Sequence, residues 1–349
     1  MKFRGKGLAK KKVIDEEAAQ PAADRPVALD GLCGHARQVE LLGRLLEKGM
    51  LSPSLLFSGP ASVGKASLAF RLAAALQCAS PSPWACGKCP ACAKARKGIH
   101  PDIRIITLEV NEETGKERKE IVVRQAREEI ISHLDLPPYE GRHLVFIIDP
   151  ASAMNAETQN ALLKSLEEPP RYAKFILVAS NAANLLPTVR SRCQEVTFGL
   201  VPRKALEEIA ASAGLRDDDA ARAVSSSAGA PGLILSGGWK DAAKRRERLM
   251  ALLEFGLQAE RFPELSPMME EMAKEPPRAM LAEALRVTSE ARRALYAKSG
   301  GQDSAVARAA RARGEESLGR VAGRLADAPA HLERNVNPRL LLERLFIVP

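Results

Sequence analysis

Three groups of residues in this 349-residue chain have types and spacings that carry chemistry. The first is Gly59-Pro60-Ala61-Ser62-Val63-Gly64-Lys65-Ala66, which follows a short apolar run and opens directly into a helical pattern. That is the spacing of a Walker A loop: glycines let backbone N–H groups wrap phosphates, the helix N-terminus adds positive potential, and Lys65 reaches the outer phosphates. A glycine turn with an accidental lysine is the plainer alternative. The motif needs a Ser or Thr hydroxyl for Mg²⁺ at its last position, where this chain has Ala66. Ser67 follows one residue late, rotated by about 100° on a helix, and serves only if the loop rearranges.

The second group is Leu144-Val-Phe-Ile-Ile-Asp149, an apolar strand delivering one carboxylate at its C-terminal end, as a Walker B strand does. Hydrolytic P-loop proteins commonly place a Glu next, to polarise water. Here that neighbour is Pro150, and no acid follows before Glu157. Gly59, Gly64, Lys65, Ser67 and Asp149 thus outline a degenerate ATP or ADP site that binds nucleotide weakly or without turnover.

The third group is Cys78-x7-Cys86-x2-Cys89-x2-Cys92, four of the six cysteines. In a reducing compartment such spacing reads as a tetrahedral metal site, and four thiolates fill the shell of Zn²⁺ completely. A closed shell leaves no position for water, so the metal is expected to be structural. Free or partly reactive thiols are the alternative. Cys33 and Cys193 stand apart as ordinary core or loop residues.

These groups need a scaffold, and the hydropathy pattern supplies one. Apolar β-rich runs at Leu55–Ser58, Ile103–Leu108, Leu144–Ile148 and Phe175–Ala179, with Val196–Phe198 as a fifth, alternate with helical patterns at Ala66–Cys78, Ile121–Leu134 and Asn155–Glu167. Asn155 is a plausible N-cap and Pro169-Pro170 a stop. Strands alternating with helices predict an α/β domain with a parallel sheet. After about Leu200 the pattern is helical, broken at Gly229-Ala-Pro-Gly232, Gly237-Gly238 and Ser299–Gln302. The expected division is a tail over 1–27, an α/β domain over 28–200, a small helical domain over 201–240 and a helical bundle over 241–349.

Composition narrows the classes. No apolar run approaches the ~18 residues of a membrane span, and no apolar stretch follows the basic start, so membrane and secretory readings are excluded and a cytoplasmic location is expected. The formal net charge is +9, but Lys2, Arg4, Lys6, Lys10, Lys11 and Lys12 supply six of these charges, leaving a nearly balanced body. That tail is either a solvated disordered arm or a phosphate-binding one. With 4% aromatic residues, the body offers little base-stacking surface, which argues against a stand-alone zinc-containing nucleic-acid-binding module.

The chain resembles the clamp-loader branch of the AAA+ proteins over residues 28–349. The resemblance rests on Leu29-Asp-Gly-Leu-Cys-Gly-His35, the P-loop, the cysteine insertion, His100-Pro-Asp102, Asn160-Ala-Leu-Leu-Lys-Ser-Leu-Glu-Glu-Pro-Pro170, Ser191-Arg192-Cys193 and Asn335-Val-Asn-Pro-Arg-Leu-Leu-Leu-Glu343. It implies an AAA+ P-loop domain, a small helical lid domain and a C-terminal helical collar, within a ring that opens a sliding clamp and places it on primer-template DNA. Motor subunits of that family (gamma/tau) keep the metal hydroxyl and the acidic residue after the Walker B Asp, and place a nucleotide-sensing Arg where this chain has Ala230-Pro231-Gly232. The resemblance therefore implies a stator beside gamma/tau and delta subunits, with an active gamma/tau-like ATPase as the rival reading. It also implies a role for Arg192, after the fourth strand and a short helix on the side facing an adjoining subunit. A permanently charged guanidinium there acts as an arginine finger on the neighbour's ATP. The alternative is an arginine paired with a carboxylate on its own surface.

Overall fold

The computed structural model describes residues 34–81, 84–110, 115, 118–255, 258–275, 277–296, 305–333 and 337–347. The basic tail, Cys33, most of the Leu29–His35 stretch, Ser299–Gln302 and Asn335-Val336 lie outside these residues. The chain divides into two compact units, Met1–Val201 and Pro202–Pro349.

The first unit is a five-stranded parallel sheet between layers of helices. Its strands are β1 (Ser54–Ser58), β2 (Ile103–Ile106), β3 (Leu144–Ile148), β4 (Ala173–Ala179) and β5 (Gln194–Thr197), in the order β2-β3-β4-β1-β5. β1 and β3 are buried at every position, as expected for inner strands covered on both faces. Alternate side chains enter opposite layers. Phe57, Val145, Ile147 and Val178 pack with Leu42 of α1 (Ala36–Glu47) and with Leu68 and Leu72 of α2 (Lys65–Gln77). Leu56, Phe146, Ile148 and Phe175 face the other layer, which holds Ile130, Leu162 and Leu166. There the Phe146 and Phe175 rings stack at 5.2 Å.

Helix α3 (Pro90–Arg96) lies in the cysteine insertion. The helix expected over 121–134 begins at Val123 and is interrupted: α4 (Val123–Ala126) and α5 (Ser132–Leu134) flank a π turn at Arg127–Ile131. Helix α6 (Ala156–Glu167) starts where its cap predicts, with Asn155 Oδ1 accepting the Thr158 N–H at 2.9 Å. Two strands differ from the apolar runs. β2 ends at Ile106, and the Thr107 carbonyl beyond it accepts from Gln125 Nε2 at 2.8 Å rather than from a strand. β5 begins two residues early because it is an edge strand with only Val196 buried, so polar residues occupy most of it. Before β5 comes α7 (Pro187–Arg190).

The second unit is entirely helical among the described residues. It comprises α8 (Arg203–Ser212), α9 (Asp217–Ser227), α10 (Pro231–Leu235), α11 (Trp239–Phe255), α12 (Phe262–Met272), α13 (Pro277–Tyr296), α14 (Ala305–Arg313), α15 (Glu315–Glu333) and α16 (Pro338–Phe346). Ala228 and Gly229 take positive φ at the expected break after α9, and Pro231 occupies the first turn of α10. The division expected near 240 falls inside a continuous helix. α11 runs from Trp239 to Phe255, with Trp239, Ala242 and Ala243 buried at its start and Leu249, Leu252 and Leu253 in the larger core further on. Segments 202–240 and 241–349 therefore belong to one compact unit.

Candidate functional site

The phosphate loop sits at the C-terminal end of β1, where open parallel sheets bind ligands. Gly59 has φ +138, and a Cβ there would lie 2.2 Å from the backbone carbonyl oxygen of Phe198, so only glycine fits. Gly64 has φ +109 and caps α2. Lys65 is 6% exposed, folded into the loop with its ammonium donating to the Gly59 carbonyl at 2.7 Å and to that of Pro60. Burial lowers the Lys65 pKa, and the charge of Asp149 opposes the shift. Burial raises the Asp149 pKa, and Lys65 opposes that in turn. The sequence thus brings Lys65 and Asp149 into one electrostatic site across β1 and β3. Ser67 points elsewhere: it is exposed on α2 while Lys65 is buried.

One supporting residue escaped the sequence reasoning as a site residue. His35, buried at the start of α1, donates from Nε2 to the Val63 carbonyl at 2.7 Å and sets its ring edge-on to Phe198. It pins the tip of the phosphate loop. The Gly-His pair ahead of the first helix was its only signal.

The four cysteines converge. Their sulfurs all lie within 4.8 Å of one another, with Cys86 Sγ and Cys92 Sγ 3.9 Å apart. Four sulfurs at about 2.3 Å from one zinc stand ~3.8 Å apart in a tetrahedron, close to the spacing of this cluster, so the donor set fits a Cys₄ ion. Backbone N–H groups of Lys88 and Cys89 pull the Cys86 thiol down to about 6, favouring the thiolate that ligates metal. Burial pushes Cys92 up to about 12, the cost an ion would offset. Cys78 and Cys92 pack with Ala74 and Ala95, fastening the insertion to α2, and Arg71 of α2 stacks over Trp84 at 5.2 Å. Cys193 stands apart, partly buried, its thiol raised to about 11 by burial.

Arg192 follows α7 and precedes β5. Its Nε and Nη2 donate to Oε2 of Glu167 at 3.1 and 2.8 Å, and its Nη1 donates to the Thr188 carbonyl at 3.0 Å. Within this chain the arginine therefore has a carboxylate partner on its own surface. Glu167, from the Leu-Glu-Glu-Pro-Pro segment, was not singled out by the sequence, because pairing across 25 residues leaves no local signature.

A parallel sheet of this order, with a phosphate loop after β1 and an acidic residue closing β3, defines an AAA+ P-loop module. In keeping with that, the fold is similar to a DNA polymerase III gamma subunit-related protein of Thermotoga maritima, at TM-score 0.51 and 17% identity over 88% of this chain and 97% of that one. Residues 34–201, just under half of the chain, match the family described as DNA polymerase III, delta subunit. Among curated relatives it is 35% identical to the DNA polymerase III subunit delta' of Pseudomonas aeruginosa, over 51% of this chain and 57% of that protein. It is also 32% identical to the subunit gamma/tau of Mycobacterium bovis, over 56% of this chain and 33% of that protein. The chain thus spans just over half the length of the first relative and a third of the second.

Proposed function

We propose that this protein is a delta-prime-like stator of the DNA polymerase III clamp loader. In this reading it assembles with gamma/tau and delta subunits, helps place the sliding clamp on primer-template DNA, and hydrolyses ATP poorly or not at all. The observation that carries it is the pairing of a retained Lys65–Asp149 site with Ala66 and Pro150 at the positions of the metal hydroxyl and the acidic neighbour. The first loss removes a ligand from Mg²⁺ and the second removes the group that orients water. Gly59, Gly64 and Lys65 would still hold a nucleotide's phosphates, with Asp149 facing them.

Arg192 is the residue that acts on chemistry, by reaching the γ-phosphate of ATP held by an adjoining subunit and stabilising charge as it develops there. Cys78, Cys86, Cys89 and Cys92 hold a structural zinc ion. The helical segments supply the lid, over 201–240, and the collar, over 241–349.

The test is ATP turnover by the purified chain alone, beside turnover by a complex reconstituted with gamma/tau and delta. Background turnover by the isolated chain, unchanged in Lys65→Ala, supports the stator reading. Robust turnover abolished by Lys65→Ala would establish the gamma/tau-like motor instead.

A further inference from the structure

At the N-terminal ends of β2 and β3, away from the phosphate loop, the chain builds a second feature. Asp102 is 2% exposed, and its carboxylate accepts three successive backbone N–H groups, those of Tyr139, Glu140 and Gly141, at 2.5–3.0 Å. Gly141 lies close under Gln77: a Cβ there would sit 2.0 Å from its Oε1, so any larger residue would have to displace that side chain. Pro137 and Pro138 stiffen the approach. The buried carboxylate thus holds the backbone of this loop much as a helix-capping side chain holds a helix end.

What the loop presents is apolar. Tyr139 is 86% exposed, and Leu136, three residues before it, is exposed as well. Ile99, 64% exposed, precedes His100, whose buried ring sits 3.6 Å from the Glu140 carboxylate, so Ile99 and Tyr139 flank one contact. An exposed tyrosine on a backbone held in this way, beside aliphatic side chains, has the makings of a binding anchor, since its ring offers a large contact area with only two side-chain torsions to fix.

The rim carries more cations than acids: Lys88, Arg96 and Lys97 of the cysteine insertion are exposed, as is Arg142 after the loop, against the exposed Asp135 beside Leu136. Glu140, the acid at the centre, is already paired with Lys94 at 2.5 Å. We infer that this surface docks an acidic protein segment whose apolar side chains pack beside Tyr139 and Ile99 while its carboxylates meet the surrounding cations. A single-stranded nucleic acid fits less well. It needs several aromatic platforms for successive bases, whereas the surface offers one exposed aromatic, and Trp84 is packed on the core under Arg71.

The test uses the full-length chain and fluorescence anisotropy with three labelled probes: a ten-residue peptide alternating Asp with Leu or Phe, the same peptide with Lys for Asp, and single-stranded dT15. The acidic peptide is expected to bind and the other two not. Binding should weaken about tenfold or more in Tyr139→Ser and in the double variant Arg96→Glu with Lys97→Glu, and should weaken with added salt. Glu264→Ala, an exposed substitution in the second unit, should bind as the unaltered chain does. Tyr139→Ser keeps the backbone N–H that Asp102 holds, so its thermal melt should not move, which separates lost binding from lost folding. No binding of the acidic peptide at 1 mM overturns the inference, as does binding that ignores both variants. Binding of dT15 through the same residues in place of the peptide overturns it in favour of nucleic acid.

Discussion

Replacing Arg192 and replacing its partner Glu167 should have unlike effects in the assembled clamp loader, and the structure sets the size of each. The Arg192–Glu167 pair lies on the surface, with side chains 30% and 56% exposed. Pairs of that exposure contribute about 0.2–1 kcal/mol, so the pair favours the folded-back guanidinium over a released one by at most ~5-fold. An arginine finger at its own site is worth roughly 10³–10⁵ in turnover. The internal ion pair is therefore too weak to prevent the arginine from reaching a neighbour's ATP. Arg192→Ala should lower turnover at the adjoining site by three orders of magnitude or more. Glu167→Gln should leave it unchanged or raise it by up to about fivefold.

The assay needs a complex in which only the motor subunit beside this chain keeps an active site, because other sites would dilute the loss in the bulk rate. Steady-state ATP turnover and clamp loading are measured together. Zinc content and thermal melts of both variants should match the parent, since neither substitution removes more than a surface pair. If Arg192 serves only as the surface partner of Glu167, the two variants behave alike and close to wild type. A complex carrying Arg192→Ala that turns over ATP and loads clamps at the parent rate refutes the reasoning.

Other consequences can be measured on the isolated chain. Cys92→Ser should reduce zinc, measured by mass spectrometry after gel filtration, from one equivalent to background, and should lower the melting temperature of the first unit, because zinc binding there is also folding free energy. Glu283→Ala should destabilise the second unit by about 3 kcal/mol in urea unfolding, because Glu283 is buried against Arg286, which loses its carboxylate, while Arg246 keeps Glu290. The exposed Glu264, paired with Arg261, should cost under ~1 kcal/mol when replaced by Ala. Burial lowers the pKa of His100, His133 and His143, so the unfolded chain binds more protons than the folded one just below the ordinary histidine pKa. Stability should accordingly be full above that pKa and fall as pH drops through about 6.5 toward 5.5, with His143→Leu removing part of the slope in thermal melts.

The inner strands were legible because burial on both faces forces unbroken apolar runs, as in Leu144–Ile148. The edge strand β5 starts two residues ahead of the apolar run that marks it, because solvent takes most of its side chains and leaves Val196 as its one apolar mark. The π turn at Arg127–Ile131 left no trace in the apolar periodicity, and the helix expected over 121–134 was read as continuous. Site residues adjacent in sequence, such as Gly59 to Lys65, could be read from spacing. The tertiary partners could not: His35 under Val63, Glu167 on Arg192 and Asp102 beneath Tyr139 meet only once the sheet is built. Continuity of α11 across 240 has no sequence signal either, since Gly237-Gly238 directly precedes its first residue.

The phosphate loop shows why charge and turnover separate in such a site. Lys65 satisfies the carbonyls of Gly59 and Pro60 and faces Asp149, and each charge offsets what burial does to the other. Removing one alone leaves the other desolvated without its counter-charge, so the fold itself holds both in place. Ala66 and Pro150 are different. Alanine in the first turn of α2 is the best helix former available, and a proline after β3 interrupts no strand bond. A loop can therefore lack its metal hydroxyl and its water-orienting acid at no structural expense, whereas replacing its lysine or its aspartate removes a counter-charge from the other. Arg192 presents the converse case. It is exposed and weakly tied, so the fold gains little from it, and a costly effect of its removal would have to be felt in another chain.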